Sequence, residues 1–480
     1  MQMRAAVLPM VVGALALSTN VALAGAGDHI RFGNGGEFTP SLSIAGVYRT
    51  NNYLTVGSSF GDSDDDANVG GMHLNVRPNL ALELESHAVI LGVDAGYEMR
   101  KYFQEELTNL DRFRNVNGQI QLVLLPKAVV GFKLNSGIVI SGRETEAVNS
   151  QDAYLQQLVS RNQATLTVRP GDAMEIDVGG SFELRTIKVP EGFATVDGAP
   201  TANLNSRASS GVVSTFNWQF LPKTAVVAGF ERFNSRWESN AIAASGEGVG
   251  TFAIEPGGAG FVMCDPSDAA TGADDCFLPV PNGVFTSFNT GIRGRFTPRL
   301  VLGAVVGFTR ATFDASTVEA PVSGVGMTEV EDIDKCGSKD DADGVNDDLV
   351  GFPCMLNGNV EIGYEVREGH VFTVGFLREA QPVFFTNYLN LNRYYVGYGG
   401  TVADRHRLSV GLDVNQQDYR GQVTRDDLWF RARTDVAWGI QKWLTIDTGV
   451  GYTGRRSVGG EFPEIEYDDI NVHAGLTVEY

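Results

Sequence analysis

The segment Lys339-Asp340-Asp341-Ala342-Asp343-Gly344-Val345-Asn346-Asp347-Asp348 spaces carboxylates around a glycine. Ca²⁺ takes about six to eight oxygen ligands, and alternate Asp residues on a tight turn can supply them. Asp341, Asp343 and Asp347 are therefore candidate ligands. Lys339 stands where a first ligand would be, and a solvated acidic loop is the competing reading. Cys336 and Cys354 flank this stretch, and Cys264 and Cys276 make a second sequence-local pair. No His stands near either pair, so two local disulfides are expected in an oxidising compartment rather than zinc sites. A Cys336–Cys354 bridge would lower the cost of ordering the acidic loop.

A second set of charges lies inside apolar stretches. Lys133, Arg143, Arg161, Arg293, Arg295, Arg393, Arg407, Arg431 and Arg433 share one parity with Glu83, Asp94, Glu98, Asp177, Glu183, Glu361, Asp413 and Asp435. Arg binds carboxylate and phosphate bidentately, so the bases could form a lane for anionic solute. The near balance of acids and bases favours ion pairs that stiffen a wall. His73 and His473 fall on the same parity, with Asp468 and Asp469 nearby in sequence, an arrangement like the rim site of omptin-like proteases. No paired carboxylates at matching positions support catalysis, and the chain is read as a non-enzyme with no cofactor beyond Ca²⁺ in a loop.

The elements carrying these charges alternate with period two. Val89, Leu91, Val93, Ala95 and Tyr97 oppose Gly92, Asp94, Gly96 and Glu98. Leu408, Val410, Leu412 and Val414 oppose Ser409, Gly411 and Asp413. The last segment sets Ile470, Val472, Ala474, Leu476, Val478 and Tyr480 against Asn471, His473, Gly475, Thr477 and Glu479. A soluble sandwich would alternate too. It would not accept Arg, Asp and Glu in mid-strand on its core face.

Links alternate as well: short ones such as Pro126-Lys127, Pro222-Lys223, Pro298-Arg299 and Gln441-Lys442, then long polar ones, the largest about 239–282 and 316–355. Short turns on one rim and long loops on the other describe an all-β transmembrane antiparallel barrel of about 18 strands (16–18), with periplasmic termini and long extracellular loops. Outer-membrane lipid is its implied surrounding. Tyr48, Phe216, Trp218, Phe220, Trp438 and Tyr480 would supply interface girdles.

Met1 to Ala24 reads as an export signal: Arg4, an apolar run from Ala5 to Leu17, and Ala22-Leu23-Ala24 before the cut. Residues 25–480 would then be the barrel. The net charge of −21 (37 basic, 58 acidic) opposes nucleic-acid binding. The terminal aromatic Tyr480, with apolar residues at every second position before it, is similar to the C-terminal signal read by the barrel assembly machinery.

Phe38-Thr39-Pro40-Ser41-Leu42-Ser43-Ile44, then Tyr48 and Asn51-Asn52, resembles the opening of outer-membrane β-barrel porins often encoded beside exopolysaccharide genes. That family usually carries Asp-Asn after the Tyr, where this chain has Arg49-Thr50-Asn51-Asn52. The recurring Pro-basic links are similar to it, and the two cysteine loops are not. Asp341 to Asp347 separately resembles calcium loops of thrombospondin-type repeats. The porin resemblance implies a barrel and assigns no substrate. Three functions follow as expectations: a diffusion channel for small hydrophilic solutes, an export barrel for a surface polysaccharide, or a non-conducting barrel with partner-binding loops.

Overall fold

The computed structural model describes residues 29–32, 35–52, 70–112, 115–141, 156–188, 204–238, 251–254, 261–264, 282–313, 317–322, 326–331, 355–381, 388–403, 405–420, 425–458 and 466–480. The export signal at 1–24, the calcium candidates Asp341, Asp343 and Asp347, Arg143 and the cysteine side chains lie outside the described residues.

Each alternating segment forms a strand. In chain order these are β1 (Gly36–Arg49), β2 (Gly71–Glu85), β3 (Val89–Tyr102), β4 (Asn115–Leu124), β5 (Val130–Ser141) and β6 (Gln156–Gly171). Next come β7 (Met174–Lys188), β8 (Leu204–Leu221), β9 (Thr224–Glu238), β10 (Gly283–Arg295), β11 (Leu300–Phe313) and β12 (Met355–Arg367). The last are β13 (His370–Gln381), β14 (Tyr388–Val402), β15 (His406–Arg420), β16 (Arg425–Gln441), β17 (Leu444–Ser457) and β18 (Tyr467–Glu479).

Every neighbouring pair is antiparallel, and β18 returns to β1 through Ser41↔Glu479 to Arg49↔Asn471. These eighteen strands close the barrel. The Tyr480 amide donates to the Pro40 carbonyl at 3.0 Å, completing the seam. Ile30–Phe32 pairs with Phe38–Gly36 just beyond the end of β18, covering the edge of β1 that β18 leaves open.

Alternation sorts the side chains. Leu42, Ile44, Leu80, Val178, Val306, Leu356, Val410 and Leu476 point outward and remain exposed. A soluble protein would cover such a belt; a closed barrel in lipid requires it. Among the described residues no helix is long and apolar enough to cross a membrane. This is a barrel of the outer-membrane type. Tyr48, Trp218, Phe220, Trp438 and Tyr480 all stand exposed on that outer face.

Strand spacing of about 4.8 Å and a tilt of about 40° give eighteen strands a backbone diameter of about 35 Å, enough for an aqueous lumen. The turn rim is tight. Glu368-Gly369 alone links β12 to β13, with Gly369 at φ 74°, where glycine carries no Cβ penalty. The other rim carries the long connections. Two described hairpins lie within the largest: Thr251–Ile254 with Phe261–Cys264, and Thr317–Val322 with Gly326–Glu331.

One element was not foreseen from the pattern, a 3₁₀ helix at Glu105–Arg112 after β3. Its Leu107 and Leu110 are fully buried. Leu107 sits where a side chain on Gly71 would stand, so only glycine fits at the start of β2. The Asp111 carboxylate accepts from the Tyr102 amide at 2.6 Å and pairs with Lys101, pinning the helix to the end of β3.

Candidate functional site: the polar lumen

The cross-strand register puts all described lumen candidates on the inward face, its irregularities lying near strand ends. Lys133, Arg161, Arg393 and Arg433 are matched by carboxylates. Lys133 on β5 reaches Glu175 at 2.7 Å and Asp177 at 3.0 Å on β7. Arg169 shares Glu175 at 2.8 Å, and Thr167 and Thr215 donate to Asp177. Arg161 binds Glu183 at 2.7 Å, and Glu183 also pairs with Arg207. Arg393 Nε donates to Asp413 at 2.6 Å, and Arg433 Nε to Asp435 at 2.9 Å. Asp94 has amide partners instead: Asn79 and Asn117 each donate to it at 3.0 Å. The wall is therefore cross-braced by ion pairs, as the charge balance implied.

Arg293 and Arg295 differ. They lie at the turn end of β10, exposed, and neither forms an ion pair with a described residue. Arg407, at the turn end of β15, is exposed in the same way. These three do not share a level with Arg431 and Arg433, which lie farther up β16. Arg431 stacks over Trp429 at 5.2 Å.

Toward the loop rim the inward face becomes packed on most strands. Phe285, Trp429, Tyr102, Asp427, Arg455 and Asp469 are each 3% exposed or less. Trp429 carries Arg455 over its ring at 4.9 Å and meets Tyr467 edge-on at 5.9 Å. Asp427 accepts from Arg455 at 2.5 Å. Nearer mid-height, the inward side chains of Arg161 and Arg433 keep 70% and 69% of their surface. The lumen is thus packed at the loop rim, keeps exposed charge at mid-height and at the turn-side mouth, and is locally packed again at Thr165 and Thr167. Glycines make room in its wall: a Cβ on Gly375 would overlap the Tyr395 ring, which lies flat there and donates to Glu361 at 2.6 Å.

The histidine–carboxylate set does not assemble. His73 is buried against Tyr102, ring centroids 4.6 Å apart. His473 lies in mid-strand rather than at the outer rim, 3.7 Å from both Asp435 and Asp447. Asp468 faces the outside of the barrel, bound by Tyr452 and by Arg456 at 2.8 Å. Asp469 faces inward and is held by Arg49. Asn51 and Asn52, noted in sequence only as part of a resemblance, are fully buried, and the Asn51 amide donates to Asp469 at 3.1 Å.

No family model matches the chain, and no curated protein matches it. Among solved structures it is similar to the outer membrane protein OpdK from Pseudomonas aeruginosa, at 8% identity and TM-score 0.40, covering 92% of this chain and 99% of that one. OccAB4 of Acinetobacter baumannii matches at 12% identity and TM-score 0.41, covering 93% and 99%. The FrpB iron transporter from Neisseria meningitidis matches at 8% and 0.43, covering 96% and 86%. Likeness at this level assigns no substrate and no site; the barrel is read from its own strand pairing.

Proposed function

We propose that the protein is an outer-membrane channel for passive or facilitated diffusion of small hydrophilic solutes. The carrying observation is the lumen wall, where charged side chains such as Arg161, Arg293, Arg295 and Arg433 stand exposed inside an eighteen-strand barrel. Charges left unpaired in a dry interior would each cost several kcal/mol, so this wall is built for water. Paired acids and bases let neutral and charged solutes pass without a deep binding well. Arg293, Arg295 and Arg407 add positive potential at the turn-side mouth, which raises local anion concentration.

The packed upper tier around Trp429, Asp427 and Arg455 favours one rival, a barrel that conducts poorly and works through its outer loops. Single-channel recording of the purified protein in planar bilayers separates the readings. Stable open steps support the channel. A silent barrel would sink it and leave the loop-binding reading. Export of a surface polysaccharide requires in addition that deleting the protein remove that polymer from the cell surface.

A further inference from the structure

Three upward strands share the sequence Gly-Phe-x-Arg: Gly229-Phe230-Glu231-Arg232 on β9, Gly307-Phe308-Thr309-Arg310 on β11 and Gly375-Phe376-Leu377-Arg378 on β13. In each, the Phe and the Arg have outward parity. Register sets Phe230, Phe288 and Phe308 in one row, with ring centroids 4.8 and 5.3 Å apart. The next row toward the loops is Arg232, Thr286, Arg310. Phe376 packs on Tyr394 at 4.9 Å in the same way, and Arg378 pairs in register with Asn392 one step above. None of the three guanidinia has a hydrogen bond or ion pair to a described residue. The outward positions below them on these strands are apolar: Val226 and Ala228, Ala304 and Val306, Phe372 and Val374.

We propose that Arg232, Arg310 and Arg378 form a binding surface for a phosphate-bearing lipid headgroup in the leaflet on the long-loop side. An outward Arg is costly at the bilayer midplane and nearly neutral at the interface, so these rows mark where hydrocarbon ends. The phenylalanine row fills the level just below, as interfacial aromatics do. Two strand spacings put Arg232 and Arg310 about 10 Å apart, so two long side chains can converge over Thr286. Guanidinium groups bind phosphate bidentately, and basic clusters beside a membrane attract anionic lipid. A neutral headgroup would leave three positive charges uncompensated at the edge of the hydrocarbon.

The test is native mass spectrometry of the full chain in detergent, with diphosphorylated lipid A as probe and its dephosphorylated form as control. The wild type should retain the phosphorylated lipid. R232Q/R310Q/R378Q should bind it about a hundredfold more weakly, and R310Q alone about fivefold, while running as the folded, heat-modifiable form. The single variant keeps the test available should the triple variant misfold. Equal retention by wild type and R310Q overturns the proposal. So does equal binding of the dephosphorylated lipid, or displacement of the lipid by millimolar inorganic phosphate, which would mark a free-anion site.

Discussion

Arg49 on the first strand holds Asp469 on the last: Nη2 lies 2.8 Å from Oδ2 and Nε 2.9 Å, across 420 residues of chain. Asp469 is fully buried, and its other oxygen accepts the Asn51 amide. Both strands bordering the seam are tied at the loop rim by this one carboxylate.

Removing one member of a buried ion pair costs about 3–5 kcal/mol, because the other charge stays buried. D469A should therefore lower the temperature at which the fast-migrating, unheated form converts to the slow form. R161Q, which removes a largely exposed lumen arginine and leaves Glu183 paired with Arg207, should change it little. Equal conversion temperatures for D469A and wild type would remove Asp469 from the seam's support.

Selectivity should depend more on Arg293 and Arg295 than on Arg431 and Arg433. The first pair carries unmatched charge at the mouth, whereas Arg433 is neutralised by Asp435 and Arg431 lies on Trp429. R293Q/R295Q should shift the reversal potential in a salt gradient toward cations, and R431Q/R433Q should shift it less. The difference should shrink between 0.1 M and 1 M salt, as the Debye length falls from about 10 to about 3 Å. A larger shift from the second pair would place the selective constriction higher in the lumen.

Tyr480 closes the ladder through its amide, while its side chain stands 42% exposed on the lipid face. Deleting it should reduce the folded barrel recovered from the outer-membrane fraction, since the edge of β1 loses its cover. Y480F should assemble normally if an apolar aromatic end is what assembly needs. Undiminished recovery of the deletion variant would rule this out.

Non-reducing peptide mapping of exported protein should show Cys264 joined to Cys276 and Cys336 to Cys354. Crossed pairing would mean that the two large insertions are tied together and not closed separately.

Period-two alternation made the barrel readable without coordinates. With one apolar face per strand and turns alternating short and long, the side of the wall on which Lys133, Asp94 or Arg433 stands follows from counting. A slip of the ladder by one residue would turn a whole apolar face inward, so odd registers are excluded. Parity cannot give depth or partners. Arg293 and Arg433 share type and face, yet one stands exposed at the mouth while the other is paired, because depth depends on strand length and stagger. The helix at Glu105–Arg112 was missed because its two apolar residues mean little until Gly71 and the ends of β2 and β3 form a pocket for them. Asp468 and Asp469 show the division most plainly. Sequence alone puts these neighbours on opposite faces of one strand. Pairing of β18 with β17 brings Arg456 and Tyr452 to the first, and only closure against β1 brings Arg49 to the second, since those partners lie on other strands and Arg49 meets its carboxylate only across the finished seam.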